Sequence, residues 1–228
     1  MPEEVCFINK RDIMRSKILI LCILSAVCFI TAKSQIKPDF GARLSMEVTV
    51  PGGGSSYYKT GAGFSVGGVM KLALPRNFYF EPGLLFYYTA MSSNDLIPFD
   101  DYYYQGAVKE YGLRLPLNVG YTFDSGKIWT IDVYTGPWIN FNISATQALD
   151  PNFSNPEPVP DKTINMMKHG WKRVDAMWGF GLSFTFAENY HIGLSGGIGF
   201  TPLAKFGNRD KKVRIHRNIV AISLGYNF

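Results

Sequence analysis

From residue 36 onward, apolar and polar residues alternate along the chain with a period of two. In the clearest stretch, 111–123, the odd positions carry Tyr, Leu, Val and Phe, and the even positions carry Gly, Arg, Pro, Asn and Thr. The same scheme recurs at 176–186 and at 190–200. A helix would scatter such residues around its circumference, whereas successive side chains of a strand point to opposite faces. The pattern therefore predicts β-strands.

Eight strands are predicted, and the connections between them alternate strictly between short and long. The predicted strands are 36–50, 60–74, 78–90, 107–123, 128–145, 171–187, 190–204 and 213–228. The short connections are 75–77, 124–127 and 187–189, and the long ones lie around 51–59, 91–106, 146–170 and 205–212. This alternation is characteristic of an outer-membrane barrel with short periplasmic turns and long external loops. The predicted fold is all-β, an eight-stranded antiparallel up-and-down transmembrane β-barrel.

The two faces of each strand favour a membrane barrel over a soluble, lipocalin-like one, which is the alternative. Trp178, Phe180, Phe184 and Phe186 share one face, and small or polar residues share the other. The interior of an eight-stranded barrel is barely wide enough for side chains, so the bulky face is expected to point toward lipid. Aromatic residues also concentrate near the predicted strand ends, as the interfacial girdles of such barrels require.

Composition agrees with this interpretation. The chain has 228 residues, of which 46% are hydrophobic and 18% charged, and it contains 23 glycines. Low charge with abundant glycine and aromatic residues argues against a coiled coil, a disordered chain or a helical bundle. The mean hydropathy is close to zero, which argues against a polytopic helical membrane protein, while opposed apolar and polar strand faces cancel to such a value. The net charge of +5 is modest and dispersed, so no nucleic-acid partner is expected.

The first 34 residues have the pattern of an N-terminal secretory signal peptide. Basic residues precede the apolar run Ile18–Ala32, which is followed by the small-x-small sequence Ala32-Lys33-Ser34. A retained transmembrane helix is the alternative, but 15 residues fall short of the roughly 20 needed to span a bilayer. We therefore predict a signal peptide over 1–34, with Met14 as an alternative start, and an outer-membrane barrel domain over 35–228.

All three cysteines, Cys6, Cys22 and Cys28, lie in this leader. The mature chain is therefore expected to contain neither disulfides nor thiol chemistry. Removing five basic and three acidic leader residues also lowers the formal net charge from +5 to +3.

Four short motifs carry a family resemblance. They are Lys37–Arg43, Phe80–Leu84, Tyr111–Leu117 and the closing Gly225–Phe228. With them the chain resembles the PorT-like outer-membrane β-barrel family of Bacteroidetes-type bacteria. The resemblance implies a barrel in the cell outer membrane, and the named member is linked to protein secretion and gliding machinery. Most members of the family have no known activity, so the resemblance implies fold and location far more than function. From the sequence as a whole we expect a small non-enzymatic barrel with a structural or adaptor role, linked to a secretion or surface complex.

The alternating last strand ends in Tyr226 and Phe228, and this ending resembles the signal by which the barrel-assembly machinery recognises outer-membrane barrels. The expected partners are therefore the assembly machinery, outer-membrane lipid and lipopolysaccharide, and the barrel is expected to be monomeric. The loops around 91–106 and 146–170 are long and rich in tyrosine or proline, which suits contact with an envelope protein partner as well as plain interfacial anchoring.

Several charged residues fall on the inward face by parity. They are Arg43, Glu47, Lys71, Glu81, Arg114, Asp132 and Asp175, with Asp39 near one end. An Arg or Lys facing lipid near the midplane costs ~2–4 kcal/mol, whereas inside a narrow barrel these groups can pair. We expect a salt-bridged plug that fills the lumen, with a proton or ion path, and hence a narrow channel, as the alternative.

A basic cluster surrounds the last predicted external loop. Its members are Lys205, Arg209, Lys211, Lys212, Arg214 and Arg217. Basic side chains at this level can bind the phosphates of lipopolysaccharide, and a merely solvated loop is the alternative.

Enzymatic chemistry has little support in the sequence. The histidines are His169, His191 and His216, and His169 and His216 are expected near the external rim with Asp161 or Asp175 as an orienting acid. No nucleophile motif accompanies them, and neither metal-ligand spacing nor a phosphate-binding loop is recognisable. The sequence therefore predicts a non-enzymatic protein without cofactor or metal, with a rim-active enzyme acting on lipid or peptide as the alternative.

Overall fold

Eight long strands close into a single barrel. The computed structural model describes residues 38–53, 58–92, 97–99, 102–104, 106–124, 128–148, 163–206 and 213–228. Its strands are β1 (Pro38–Gly52), β2 (Gly61–Ala73), β3 (Phe78–Ser92), β4 (Ile97–Phe99), β5 (Tyr102–Tyr104), β6 (Ala107–Asp124), β7 (Trp129–Ala148), β8 (Thr163–Asn165), β9 (Val174–Phe186), β10 (Tyr190–Phe206) and β11 (Val213–Asn227). The predicted signal peptide lies outside the described residues.

The long strands follow one another around the barrel in chain order. Their order is β6-β3-β2-β1-β11-β10-β9-β7, all pairs are antiparallel, and β6 pairs with β7 to complete the ring. The predicted eight-stranded up-and-down barrel is therefore confirmed, and its strand bounds agree with the prediction to within three residues. Across the described residues, no helix is long and apolar enough to cross a membrane.

The two ends of the barrel differ in their connections. We call the end with the short connections, which also holds the first and last described residues, the turn end, and the opposite end the loop end. At the loop end, β4 and β5 form a separate small hairpin within the predicted loop 91–106, and β8 pairs with the last residues of β7.

The outer face of the barrel is apolar, and the inner face is largely polar. In β1, Leu44, Met46 and Val48 are exposed, whereas Arg43 and Glu47 are buried. Aromatic rings pair around the turn end on several strands, as in Phe78–Tyr121, Trp129–Phe186 and Tyr190–Tyr226, whose centroids are 5.2, 4.8 and 5.6 Å apart. A surface of this kind suits lipid and an interfacial girdle.

Two bulges change which side chains face inward near the loop end. In β7, Ile143 is the extra residue, because Tyr111 faces Ser144 while Gly112 faces Asn142. In β10 the register against β11 shifts between Ile198 and Ala204. As a result Leu203 and Ala204 are both buried, and Lys205 is exposed although it shares the odd parity of the inward positions.

An apolar cluster closes the barrel at the loop end, and we call it the loop-end cap. Its buried members are Tyr58, Met91, Val108, Ala145, Met166, Trp171, Leu203, Ala204 and Ile215. The segment 163–172 folds across the mouth to supply two of them, so the strand predicted to begin at 171 begins at Val174 instead. Gly170 makes this path possible, since its φ is 92° and a Cβ there would lie 2.1 Å from the carbonyl oxygen of Lys205.

Candidate functional site

The inner face of the barrel carries the candidate site, and its most buried charge is Arg217 on β11. The Arg217 guanidinium forms a close ion pair with Glu110 of β6 and lies 3.1 Å from Asp175 of β9. Glu110 also accepts hydrogen bonds from the Tyr87 hydroxyl at 2.9 Å and from the Trp171 indole N–H at 3.1 Å. The loop-end cap is thus tied to this charge cluster through Trp171.

A continuous chain of polar contacts leads from this cluster toward the middle of the lumen. Asp175 accepts a hydrogen bond from the Asn140 amide at 2.8 Å, and Asn140 in turn accepts one from Nε of Arg114, also at 2.8 Å. Arg114 then forms a bidentate pair with Glu47, with N–O distances of 2.6 and 3.1 Å. Since these residues lie on β9, β7, β6 and β1, the contacts span the lumen from wall to wall.

Aromatic side chains fill the space around the two arginines. The Tyr87 ring lies between them, with its centroid 5.1 Å from Cζ of Arg114 and 4.9 Å from Cζ of Arg217. Trp138 packs on the other side of Arg114 at 5.7 Å and donates its indole N–H to Asn118 at 2.8 Å. Guanidinium groups over aromatic faces gain cation–π stabilisation, which is larger when both partners are shielded from water.

A second set of charges lies toward the turn end. Arg43 and Glu81 approach to 3.6 Å, and Lys71 contacts both oxygens of Asp132 at 2.9 Å. The Lys71 ammonium group also lies 4.3 Å above the Tyr79 ring. Lys71 is the more accessible of these cations, with 23% of its side chain exposed.

Between the two sets of charges is a small polar cavity of about 60 Å³. Ser45, Ser65, His191, Ser195 and Ser223 contribute to its lining, together with the charged groups of Arg43, Glu81 and Arg114. A polar cavity of this size has room for about two to four ordered water molecules. It is too small to admit a nutrient-sized solute.

The seven residues placed on the inward face by parity all lie there in the structure. Six of them pair with one another, as Arg43–Glu81, Lys71–Asp132 and Arg114–Glu47. The seventh, Asp175, pairs with Arg217. Glu110 was missed by the sequence analysis, although it lies on the same even-numbered face of β6 as Arg114 and the alternation could have identified it. With Glu110 and Arg217 included, the described interior holds four cationic and five carboxylate side chains.

The assignment of Arg217 to the external basic cluster was wrong. Its side chain is 1% exposed and lies in the lumen, because it shares the odd parity of the buried Ile219 and Ala221 on β11. Of the other predicted members, Lys205 and Arg214 are exposed and face each other across β10 and β11. Arg209, Lys211 and Lys212 lie outside the described residues.

The structure describes both predicted rim histidines, His169 and His216, and one of the two acids predicted to orient them, Asp175. His216 Nδ1 lies 3.1 Å from the Gly199 carbonyl oxygen. Asp175 is buried and engaged with Arg217, so it does not orient a histidine at the rim. Asp161 lies outside the described residues, and His191 lines the internal cavity.

Tyr226 and Phe228, the predicted assembly signal, are exposed on the outer face at the turn end. Their rings contact each other with centroids 5.6 Å apart, and the Phe228 N–H donates to the Phe40 carbonyl at 2.8 Å.

A closed eight-stranded barrel with an apolar exterior, an aromatic girdle and a charged, filled interior is a transmembrane β-barrel of the outer-membrane type. The chain belongs to the outer membrane protein beta-barrel domain family, whose model matches residues 32–205. No curated protein matches the chain.

Solved structures of outer-membrane proteins are similar to this chain at low sequence identity. Neisserial surface protein A is 13% identical over 83% of this chain and 97% of its own, with a TM-score of 0.45. Ail of Yersinia pestis, solved in complex with the heparin analogue sucrose octasulfate, is 10% identical over 85% of this chain and 100% of its own, with a TM-score of 0.42. The N-terminal barrel domain of Pseudomonas aeruginosa OprF is 14% identical over 82% and 97%, with a TM-score of 0.32.

Proposed function

We propose that this protein is a sealed, non-enzymatic barrel that serves as a structural or adaptor component of a secretion or surface complex in the outer membrane. The observation that carries the proposal is the filled lumen. The Arg217–Glu110–Asp175 cluster, the Arg114–Glu47 pair and the two pairs nearer the turn end occupy successive levels, and the loop-end cap lies above them.

The energetics of these contacts favour a permanently closed barrel. Opening a path for ions requires separating Arg114 from Glu47 and Arg217 from its two carboxylates. Breaking a buried pair costs about 3–5 kcal/mol, because each charge is left without compensation. Two such steps in series would leave an open state populated far below one molecule in a thousand.

With the lumen closed, function would reside on the surfaces at the two ends. The loop end presents the β4–β5 hairpin, whose sequence includes Pro98 and Tyr102–Tyr104, and exposed basic residues on the strand ends around it. Tyrosine is enriched in protein contact surfaces because its rigid ring supplies a large contact area at little cost in conformational entropy. The resemblance to the PorT-like family supports a partner in the cell envelope.

The rest of the proposal concerns export and assembly. The leader 1–34 would direct the chain across the inner membrane, and the strand end at Tyr226 and Phe228 would be recognised by the barrel-assembly machinery. The loop end would then face the cell exterior, as long loops do in barrels of this type. The mature protein would be a monomer.

Planar-bilayer recording of the purified, refolded full barrel tests the sealed lumen. We expect no steady conductance above that of the protein-free bilayer. Large, steady openings would refute the sealed barrel and favour a channel.

Site-specific photo-cross-linking in intact cells tests the adaptor role. A photoreactive residue at Pro98 or Tyr103 is expected to capture one reproducible envelope protein. The matched control is the same residue at Arg76, which is exposed in a turn at the other end of the barrel. If positions 98 and 103 capture nothing beyond what position 76 captures, the loop end is not the partner surface.

A further inference from the structure

Among the residues that the structure describes, exposed charges are distributed unevenly between the two ends of the barrel. Within the described ranges, the exposed acidic residues are Asp39 and Glu188, and both lie at the turn end. The exposed charged residues in the described part of the loop end are all basic: Lys59, Lys109, Lys168, Lys172, Arg173, Lys205 and Arg214. The acidic residues of the described loop end, Glu110 and Asp175, are buried in the lumen and paired there.

Within this set, three residues form a compact group on adjacent strands. Lys205 of β10 and Arg214 of β11 are direct partners in the antiparallel register. On the other side of β10, the Lys172 N–H donates to the Leu203 carbonyl at 2.7 Å, which places Lys172 diagonally across from Lys205. Directly opposed residues have Cβ atoms about 4.5–5.5 Å apart, and diagonal neighbours remain within reach of long side chains.

This arrangement is unfavourable for the isolated protein. Like charges placed directly opposite each other across two strands destabilise the pairing. The position of Lys205 is set by the backbone of β10. The bulge at Leu203–Ala204 turns its side chain outward, whereas unbroken alternation would point it into the lumen. An anion bound between the cationic side chains would remove the repulsion and accept hydrogen bonds from all three.

The height of the group on the barrel indicates where that anion comes from. The outward apolar surface reaches Phe200 on β10, Val174 on β9 and Val220 on β11, each more than half exposed. Lys172 lies two residues beyond Val174, and Lys205 lies beyond Phe200 across the bulged part of β10. The group therefore spans the zone just outside the apolar band, where the headgroups of the surrounding lipids lie.

We propose that Lys172, Lys205 and Arg214 form a binding site for the phosphate groups of a membrane glycolipid of the lipopolysaccharide type. The site is confined to the β9–β10–β11 side of the barrel. Lys59 and Lys109 lie on the opposite side, next to β3, and provide a matched control. Both pairs of residues are exposed and basic, so a general attraction of the basic rim for anions would involve them equally.

The test compares two double variants of the full-length barrel in detergent micelles, Lys205→Gln/Arg214→Gln and Lys59→Gln/Lys109→Gln. Each loses two positive charges. Heat-dependent mobility on gels establishes that both are folded. The probes are lipopolysaccharide, lipopolysaccharide stripped of its phosphates, and inorganic phosphate, with binding measured by titration.

The Lys205→Gln/Arg214→Gln variant is expected to bind lipopolysaccharide at least about tenfold more weakly, since each charge-assisted hydrogen bond to a phosphate group contributes about tenfold or more. The Lys59→Gln/Lys109→Gln variant should stay within about twofold of the unmodified protein, and the phosphate-stripped probe should bind weakly to all three. Adding Lys172→Gln to the first variant should weaken binding further. An equal loss of lipopolysaccharide affinity in the two double variants, or no loss in either, would overturn the proposed site. Inorganic phosphate binding as tightly as lipopolysaccharide would overturn the lipid source.

A stability measurement provides an independent readout. In micelles without phosphate-bearing lipid, Lys205→Gln/Arg214→Gln should unfold at a temperature no lower than the unmodified protein, because a repulsive pair has been removed. With lipopolysaccharide present, the order should reverse. A variant that is less stable in both conditions would show that the two charges stabilise the barrel by themselves, contrary to the proposal.

Discussion

Replacing Arg217 with methionine is the most direct test of the charge network. Methionine is apolar and follows the aliphatic part of the arginine side chain, so it fills that part of the space and removes the charge. Arg217 is 1% exposed and pairs with both Glu110 and Asp175, so the variant leaves two carboxylates buried with only amide, hydroxyl and indole donors around them. Breaking a buried pair in this way costs about 3–5 kcal/mol.

Urea unfolding in lipid vesicles, followed by tryptophan fluorescence, measures this cost. With a denaturant slope of about 2 kcal/mol per molar urea, the midpoint should fall by about 2 M. In the triple variant Arg217→Met/Glu110→Gln/Asp175→Asn, most of the loss should be recovered, because amides keep much of the hydrogen bonding without the charge. The control is Lys109→Met, which removes an exposed cation from the outside of the barrel and should change the free energy of unfolding by no more than about 1 kcal/mol.

Two results would refute this reasoning. If Arg217→Met lowers the free energy of unfolding by less than about 1 kcal/mol, the lumen is hydrated enough to screen the carboxylates. If the triple variant is as unstable as the single one, the loss comes from packing around residue 217 and not from uncompensated charge.

Two further predictions concern the two faces of the wall. Gly179→Ala should reduce the folded fraction in the outer membrane, since a Cβ there would lie 2.1 Å from the Trp138 ring, and overpacking of this kind costs about 1–3 kcal/mol. The control Gly68→Ala should be tolerated, because its Cβ would meet nothing closer than 3.8 Å. Equal folded fractions of the two variants on gels would contradict the packing argument. Leu194→Arg should destabilise the vesicle-embedded barrel by ~2–4 kcal/mol, because Leu194 is exposed on the outer face near the middle of the apolar band. A loss within about 0.5 kcal/mol in the same urea assay would mean that this face meets water.

The alternation of residue types was sufficient to predict the strands and the direction of most side chains. A period of two is a local property, so it identifies which residues share a face without knowledge of the partner strand. The same rule places Arg217 and Glu110 inside. Arg217 was misassigned because its closeness in sequence to Lys211, Lys212 and Arg214 was given more weight than its parity with Ile219.

The choice of partners within the lumen could not be predicted. Glu47 pairs with Arg114 and not with Arg43 on its own strand, because the tilt and stagger of the strands decide which inward residues reach the same level. The bulge at Ile143 and the path of Trp171 across the mouth are equally non-local. Both depend on pairings with strands distant in the sequence, such as Trp171 with Ala204.

The loop-end cap also implies that individual strands of this barrel are surrounded by lipid over part of their length and by water at the loop end. On β6, Arg114 faces inward at mid-height, but Val108 occupies that side at the mouth while Lys109 points away from the barrel. On β11 the inward position likewise changes from Arg217 to Ile215 toward the mouth, while Arg214 points outward. On the loop-end side of the Glu110–Arg217 level, the wall therefore has the residue distribution of a water-soluble protein, with apolar side chains inside and charged side chains outside. The molecule is a membrane barrel that carries a short aqueous domain on the same strands, and the level at which this distribution inverts marks the membrane surface.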